Sequence, residues 1–133
     1  MTALPQNTAG ASFPKQEKLK SRKQIAALFE QGHSVSHYPL KLVYLPTTTK
    51  TVTQAGVTVP KRRFKLAVTR NRIKRLMREG YRHRKSLFFN NNTTAYAFLF
   101  LYIGKEIPTQ QAVHKALEKV AEKFQKQLSD EPK

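Results

Sequence analysis

The chain has 133 residues and carries 25 Lys and Arg against 8 Asp and Glu, a formal net charge of +17. Its length suits one domain, and a hydrophobic share of 39% suffices for one modest core. There is no cysteine, which excludes disulfides, thiolate metal sites and cysteine catalysis, and the longest apolar run has nine residues, 95–103, where a membrane-spanning helix needs roughly 18.

Residues 1–14 hold Pro5, Gly10 and Pro14 without periodicity and read as a loose arm; they show no basic or apolar region of a secretory signal, which fits a cytoplasmic protein. Residues 15–31, with Leu19, Ile25, Leu28 and Phe29 apolar, Ser21 as a cap and Gly32 just beyond the end, predict a first helix. Residues 33–46 predict a strand in which Leu40, Leu42 and Tyr44 alternate with Lys41, Val43 and Leu45, with Pro39 separating it from a short edge strand. A turn at 47–51 leads to a strand at 52–59, where Gly56 suggests a bulge. A basic helix follows at 68–86 and a polar loop at 90–94. Residues 95–103 split by twos into Tyr96, Phe98, Phe100 and Tyr102 on one face and Ala95, Ala97, Leu99, Leu101 and Ile103 on the other, the pattern of a strand buried on both faces. Gly104 and Pro108 end it, and residues 109–128 predict a last helix with an apolar stripe through Ala112 or Val113, Leu117, Val120 or Ala121, Phe124 and Leu128. The order α-β-β-(β)-α-β-α describes an α/β sandwich: one small mixed sheet with three helices, a single domain over 15–128, and a short tail at 129–133.

The charge is concentrated. Twelve basic residues lie between Lys61 and Lys85, opposed only by Glu79. They are interleaved with Phe64, Leu66, Val68, Ile73, Leu76, Met77 and Tyr81, which marks a folded segment and not a solvated tail. At about 100° per residue, Arg70, Asn71, Lys74, Arg75, Arg78, Arg82 and Lys85 share an arc of roughly 140°, while Leu76, Ile73, Met77 and Gly80 share roughly 100° on the other side. Arg72 and Arg84 fall outside this division, and Arg72 projects beside Glu79, an available ion-pair partner. One face packs; the other presents guanidinium groups, which grip phosphate in bidentate fashion. Asn71 is placed either to bond nucleic acid or to cap the helix start. The absence of zinc-finger spacing, and candidate exposed aromatics at Phe13, Phe29, Tyr38 and Phe64, favour RNA over duplex DNA. A membrane-surface helix would need the apolar residues that the core requires here. Acids are few and unpaired, no nucleophile or phosphate-loop motif appears, and the histidines 33, 37, 83 and 114 are scattered; they read as surface or RNA-contacting groups, so no catalytic or metal-binding residue is expected.

The stretch VPKRRFKLAVTRNRIKRLMRE, residues 59–79, resembles the signature of the bacterial ribonuclease P protein family. The matching positions are Lys61 and Arg62, Ala67 and Val68, Arg70, Asn71, Arg72, Ile73, Lys74, Arg75, Arg78 and Glu79, and EKLKSRKQIAALFEQG at 17–32 is similar to the family's first helix. Two features differ: Arg63-Phe64-Lys65-Leu66 stands where the family often has a glycine, and Ile25 stands where it often has the first of two phenylalanines, Phe29 matching the second.

The resemblance implies a sandwich with an unusual left-handed crossover, against the general right-handed rule. It implies that the basic helix, through Arg70, Asn71, Arg72, Lys74, Arg75, Arg78 and Arg82, docks on the catalytic RNA. Phe29, Lys61 and Arg62 would contact the 5′ leader of precursor tRNA or RNA nearby. Catalysis would belong to the RNA and the Mg²⁺ ions it binds, with no cofactor held by the protein and one protein per RNA. The alternative is another structured-RNA binder such as a ribosomal protein.

Overall fold

Among the described residues, four strands form one mixed sheet in the order β1-β2-β4-β3. They are β1 (His33–His37), β2 (Leu40–Pro46), β3 (Gln54–Thr58) and β4 (Tyr96–Tyr102), joined by the helices α1 (Arg22–Gln31), α2 (Ala67–Arg84), α3 (Ser86–Phe89) and α4 (Gln110–Asp130). The computed structural model describes residues 18–19, 22–47, 53–89 and 95–130. The expected arm at 1–14, the Ser21 cap, Phe13, most of the 47–51 turn, the 90–94 loop and the end of the tail lie outside the described residues.

Strand β4 sits at the centre, antiparallel to β2 and parallel to β3. Its period of two builds two cores. Tyr96, Phe98, Phe100 and Tyr102 pack with Leu40, Leu42 and Tyr44 beneath α2, α3 and α4. Ala97 and Leu99 pack with Val43, Leu19 and Leu28 beneath α1. The expected two-faced burial is therefore present, and the register explains it: Leu42 faces Phe100 and Tyr44 faces Phe98, so like faces coincide. The larger core is aromatic. Phe124 meets Phe98 edge to face at 5.2 Å and Tyr44 at 4.8 Å, and Phe88 lies 5.6 Å from both Phe98 and Phe100. Phe88 comes from α3, a four-residue turn that the sequence pattern did not separate from the basic helix.

Two glycines differ from expectation or exceed it. Gly56 makes no bulge: β3 pairs in unbroken register from Gln54 opposite Ala97 to Thr58 opposite Leu101. A Cβ there would lie 3.4 Å from Leu19, whose N–H donates to the Ala55 carbonyl at 2.9 Å on the outer side of β3. Gly80 is buried where α2 crosses α4, and a Cβ would stand 2.5 Å from Leu117 Cδ1 and 3.0 Å from His114 Cδ2. The parallel pair β3 and β4 is connected through α2, so this crossing sets how the crossover lies on the sheet.

Gly80→Ala gains about 1 kcal/mol of helix propensity, but Leu117 is fully buried and overpacking costs about 1–3 kcal/mol. The expected net result is a melting temperature lowered by a few degrees, read by circular dichroism; an unchanged or raised value would show that the crossing has slack.

Candidate nucleic-acid interface

Helix α2 packs with Ile73, Met77, Gly80 and Tyr81, which span roughly 100° of its circumference. Tyr81, absent from the expected packing arc, is 2% exposed and lies 5.3 Å from Phe100. The arc is thus turned toward Tyr81, and the presented face turns with it. Ala67, Arg78, Asn71, Arg75, Val68, Arg72 and His83 are the exposed residues, over about 160°. Arg72, which the sequence division left out, is on this face. Lys85, which it included, is 7% exposed.

The basic residues of α2 divide by their partners. Arg70 donates through Nη1 to the carbonyls of Phe64 and Lys65, at 2.8 and 2.9 Å, and so braces the loop that enters the helix. Arg82 pairs with Glu79, which also has His83 Nε2 at 3.8 Å; the expected Arg72–Glu79 pair is not made. Arg84 donates to Glu118 on α4 at 2.8 Å and lies 3.1 Å from His114 Nδ1. Arg72, Arg75 and Arg78, with half-buried Lys74, have no hydrogen bond or ion pair among the described residues. Asn71 does not cap: Leu66, extended at φ −80° and ψ 127°, occupies that position without a side-chain bond. Asn71 instead sits exposed in the second turn beside the free arginines.

Lys61 and Arg62 are exposed in a turn that follows β3. Beyond them Phe64 is buried, 5.8 Å from the Tyr102 ring, so it is a plug and not the exposed stacking group expected. It fills space at a position where the resembled family often has glycine nearby, and with the Arg70 bonds it explains how a loop without glycine is held.

A cleft runs between α1 and β3, lined by Leu19, Ile25, Phe29, Gly56, Val57 and Leu99, with Lys18 and Arg78 at its sides. Phe29 is 60% exposed here, and Ile25 supplies apolar wall one turn before it. Arg78 was legible as a presented cation, but its place in the cleft depends on how α2 lies over β3 and had no sequence signal. Among the described residues no three His, Asp or Glu side chains stand close enough to hold a metal ion, and no helix is long and apolar enough to cross a membrane.

The family model described as Ribonuclease P matches residues 13–126. The chain belongs to the ribonuclease P protein family. The ribonuclease P protein component of Porphyromonas gingivalis strain W83 is 37% identical over 124 residues, covering 90% of this chain and 88% of that one. The protein component of Chlorobium phaeobacteroides is 41% identical over 83 residues, covering 59% of this chain and 57% of that one. The fold is shared with the ribonuclease P protein of Staphylococcus aureus, at a TM-score of 0.67, 22% identity and coverage of 80% and 93%, and with that of Thermotoga maritima, at 0.67, 19%, 80% and 96%. The α/β sandwich expected from the sequence is thus the fold of solved ribonuclease P proteins.

Two outcomes follow from the pairing pattern. Glu79→Gln removes the carboxylate that engages Arg82, so RNA affinity should rise and the log–log salt slope should steepen by up to one contact, about 0.7–0.9; a weaker complex would show that Glu79 is needed to hold the face in shape. His114 is held below the ordinary imidazole pKa, first by burial, then by the Arg84 and His83 charges, against a smaller opposing pull from Glu118 and Glu79. The unfolded chain therefore takes up this proton first as pH falls through about 6.5, and stability declines from there toward the lower folded value. The melting temperature of the native chain should fall more steeply between pH 7.5 and 5.5 than that of His114→Gln; parallel profiles would remove His114 as the cause.

Proposed function

We propose that this protein acts as the protein subunit of ribonuclease P: it binds the catalytic RNA and the 5′ leader of precursor tRNA and promotes endonucleolytic removal of that leader, generating the mature tRNA 5′ end. The observation that carries this reading is the position of Arg78. It belongs both to the free cationic face of α2 and to the lining of the Phe29 cleft, so one rigid helix borders two places where a polyanion can sit. The exposed face, with Arg72 and Arg75, suits the phosphates of a structured RNA, whose narrow major groove hides base edges from side chains. The cleft, with an exposed phenylalanine over an apolar floor and cations at its sides, suits a single strand held by stacking and charge.

Under this reading Arg72, Lys74, Arg75, Arg78 and Asn71 contact RNA directly. Arg70 is a positioning residue for the entry loop that carries Lys61 and Arg62, and Arg82 contributes fully only when it leaves Glu79. Protein side chains do no bond chemistry: hydrolysis is carried by the RNA with the Mg²⁺ it binds, and the protein lowers the repulsion between two polyanions. One protein serves one RNA, in the cytoplasm. A ribosomal role is not favoured by the family match over residues 13–126.

Reconstitution tests it. Precursor tRNA, catalytic RNA and Mg²⁺ are combined with and without this protein. Cleavage should improve most at low Mg²⁺, and protein without RNA should be inactive. Robust cleavage by the RNA-free protein, or no gain on adding it, would overturn the reading.

A further inference from the structure

The hairpin on the opposite edge of the sheet from β3 carries a second exposed aromatic. Tyr38, in the turn between β1 and β2, is 66% exposed, the most exposed aromatic ring among the described residues. It is not loose. Its hydroxyl accepts the Lys105 N–H at 3.3 Å, and the adjacent Pro39 carbonyl accepts the Ile103 N–H at 2.7 Å. The segment after β4 that holds it is fixed in turn: Arg63 Nη1 donates to the Ile103 carbonyl at 3.4 Å, and the buried Tyr102 hydroxyl donates to the Glu106 carbonyl. Burial, with Tyr38 and Glu106 nearby, pushes the Tyr102 hydroxyl up, so it stays protonated and able to donate. Gly104 fits between Tyr102 and Pro39, where a Cβ would come within 2.9 Å of Pro39 Cβ. The ring therefore stands on a braced platform, and Arg63 ties that platform to the loop leading into α2.

The surroundings are mixed in a way that favours a base over a bare phosphate. Tyr38 borders an open groove with Pro39, Ile107, Glu106 and Lys115. Ile107 is also exposed, so the groove offers apolar surface, and Glu106 among its lining disfavours a bare phosphate beside it. Lys115 lines the same groove, and the exposed Lys105 and Arg63 are bonded within the segment that braces Tyr38. An exposed aromatic ring with apolar surface and cations near it is suited to a splayed-out nucleobase whose flanking phosphates reach those cations. The groove shares no lining residue with the Phe29 cleft, and it lies on the α4 side of the sheet, the side on which α2 packs.

We infer that Tyr38 is a stacking platform for an unpaired base of the same RNA that α2 binds, a contact separate from the leader cleft. This rests on the RNA-binding reading of α2. The test measures affinity of the full chain for the catalytic RNA, for precursor tRNA alone and for heparin, a polyanion without bases, using Tyr38→Ala, Tyr38→Phe and Arg75→Ala. Tyr38→Ala should weaken catalytic-RNA binding by roughly five- to a hundredfold, the range of one base–aromatic stack. It should leave heparin and precursor tRNA binding unchanged, and Tyr38→Phe, which keeps the ring, should match the native chain. If Arg75→Ala weakens binding and Tyr38→Ala does not, the platform is wrong while the α2 reading stands. If neither weakens it, both fall. Equal loss in Tyr38→Phe, or equal loss toward heparin, would assign Tyr38 a structural role and overturn stacking, as would an effect confined to precursor tRNA.

Discussion

Burial of β4 on both faces is the constraint from which the rest of the molecule is arranged. A strand that must cover aromatics on one side and small aliphatic groups on the other needs helices on both sides. It gets α2, α3 and α4 over Phe98 and Phe100, and α1 over Ala97 and Leu99. The basic helix and the Phe29 cleft are consequences of this division. Arg78 lines the cleft beside Ile25 and Phe29, although α2 covers the face of the sheet opposite α1.

Electrostatics then sorts the cations that this packing brings to the surface. A net charge of +17 opposes compaction in the absence of a polyanion. The fold places two of its eight acids against the C-terminal half of α2, where Glu79 and Glu118 engage Arg82 and Arg84. Nearer the N-terminus Arg72, Arg75 and Arg78 stay without a partner among the described residues, while Arg70 is held by two carbonyls of the entry loop. Surface pairs of this kind add little stability, about 0–1 kcal/mol each; their larger effect is to confine the attractive surface to one region, so that a partner is oriented as well as attracted.

Much of the architecture was legible because it rests on local periodicity. The alternation at Tyr96 to Tyr102 and the stripe on the last helix each express a repeat that burial enforces. What was not legible depends on relations between distant segments. The rotation of the α2 face follows from Tyr81 fitting against Phe100, which a wheel cannot weigh against Leu76. Phe64 looks like an exposed aromatic in a basic run until Tyr102 is placed beside it. Gly56 reads as a bulge signal, yet β3 pairs through it with β4 in unbroken register. Arg70 carries the family's motif and reads as a phosphate ligand, while two carbonyls six and five residues upstream claim its Nη1. In each case the residue type was right for its surroundings, but the neighbour that gave it meaning lay elsewhere in the chain.

The hydrogen bond from Leu19 to the Ala55 carbonyl has a consequence for the protein before it meets its RNA. Strand β3 ends the sheet, and an uncovered edge strand offers its backbone to any extended chain, including another copy of itself. The Lys18–Leu19 segment lies parallel along that margin and occupies it at Ala55. A protein synthesised apart from its partner is thereby guarded against edge-to-edge self-association, by the same short segment that walls the cleft.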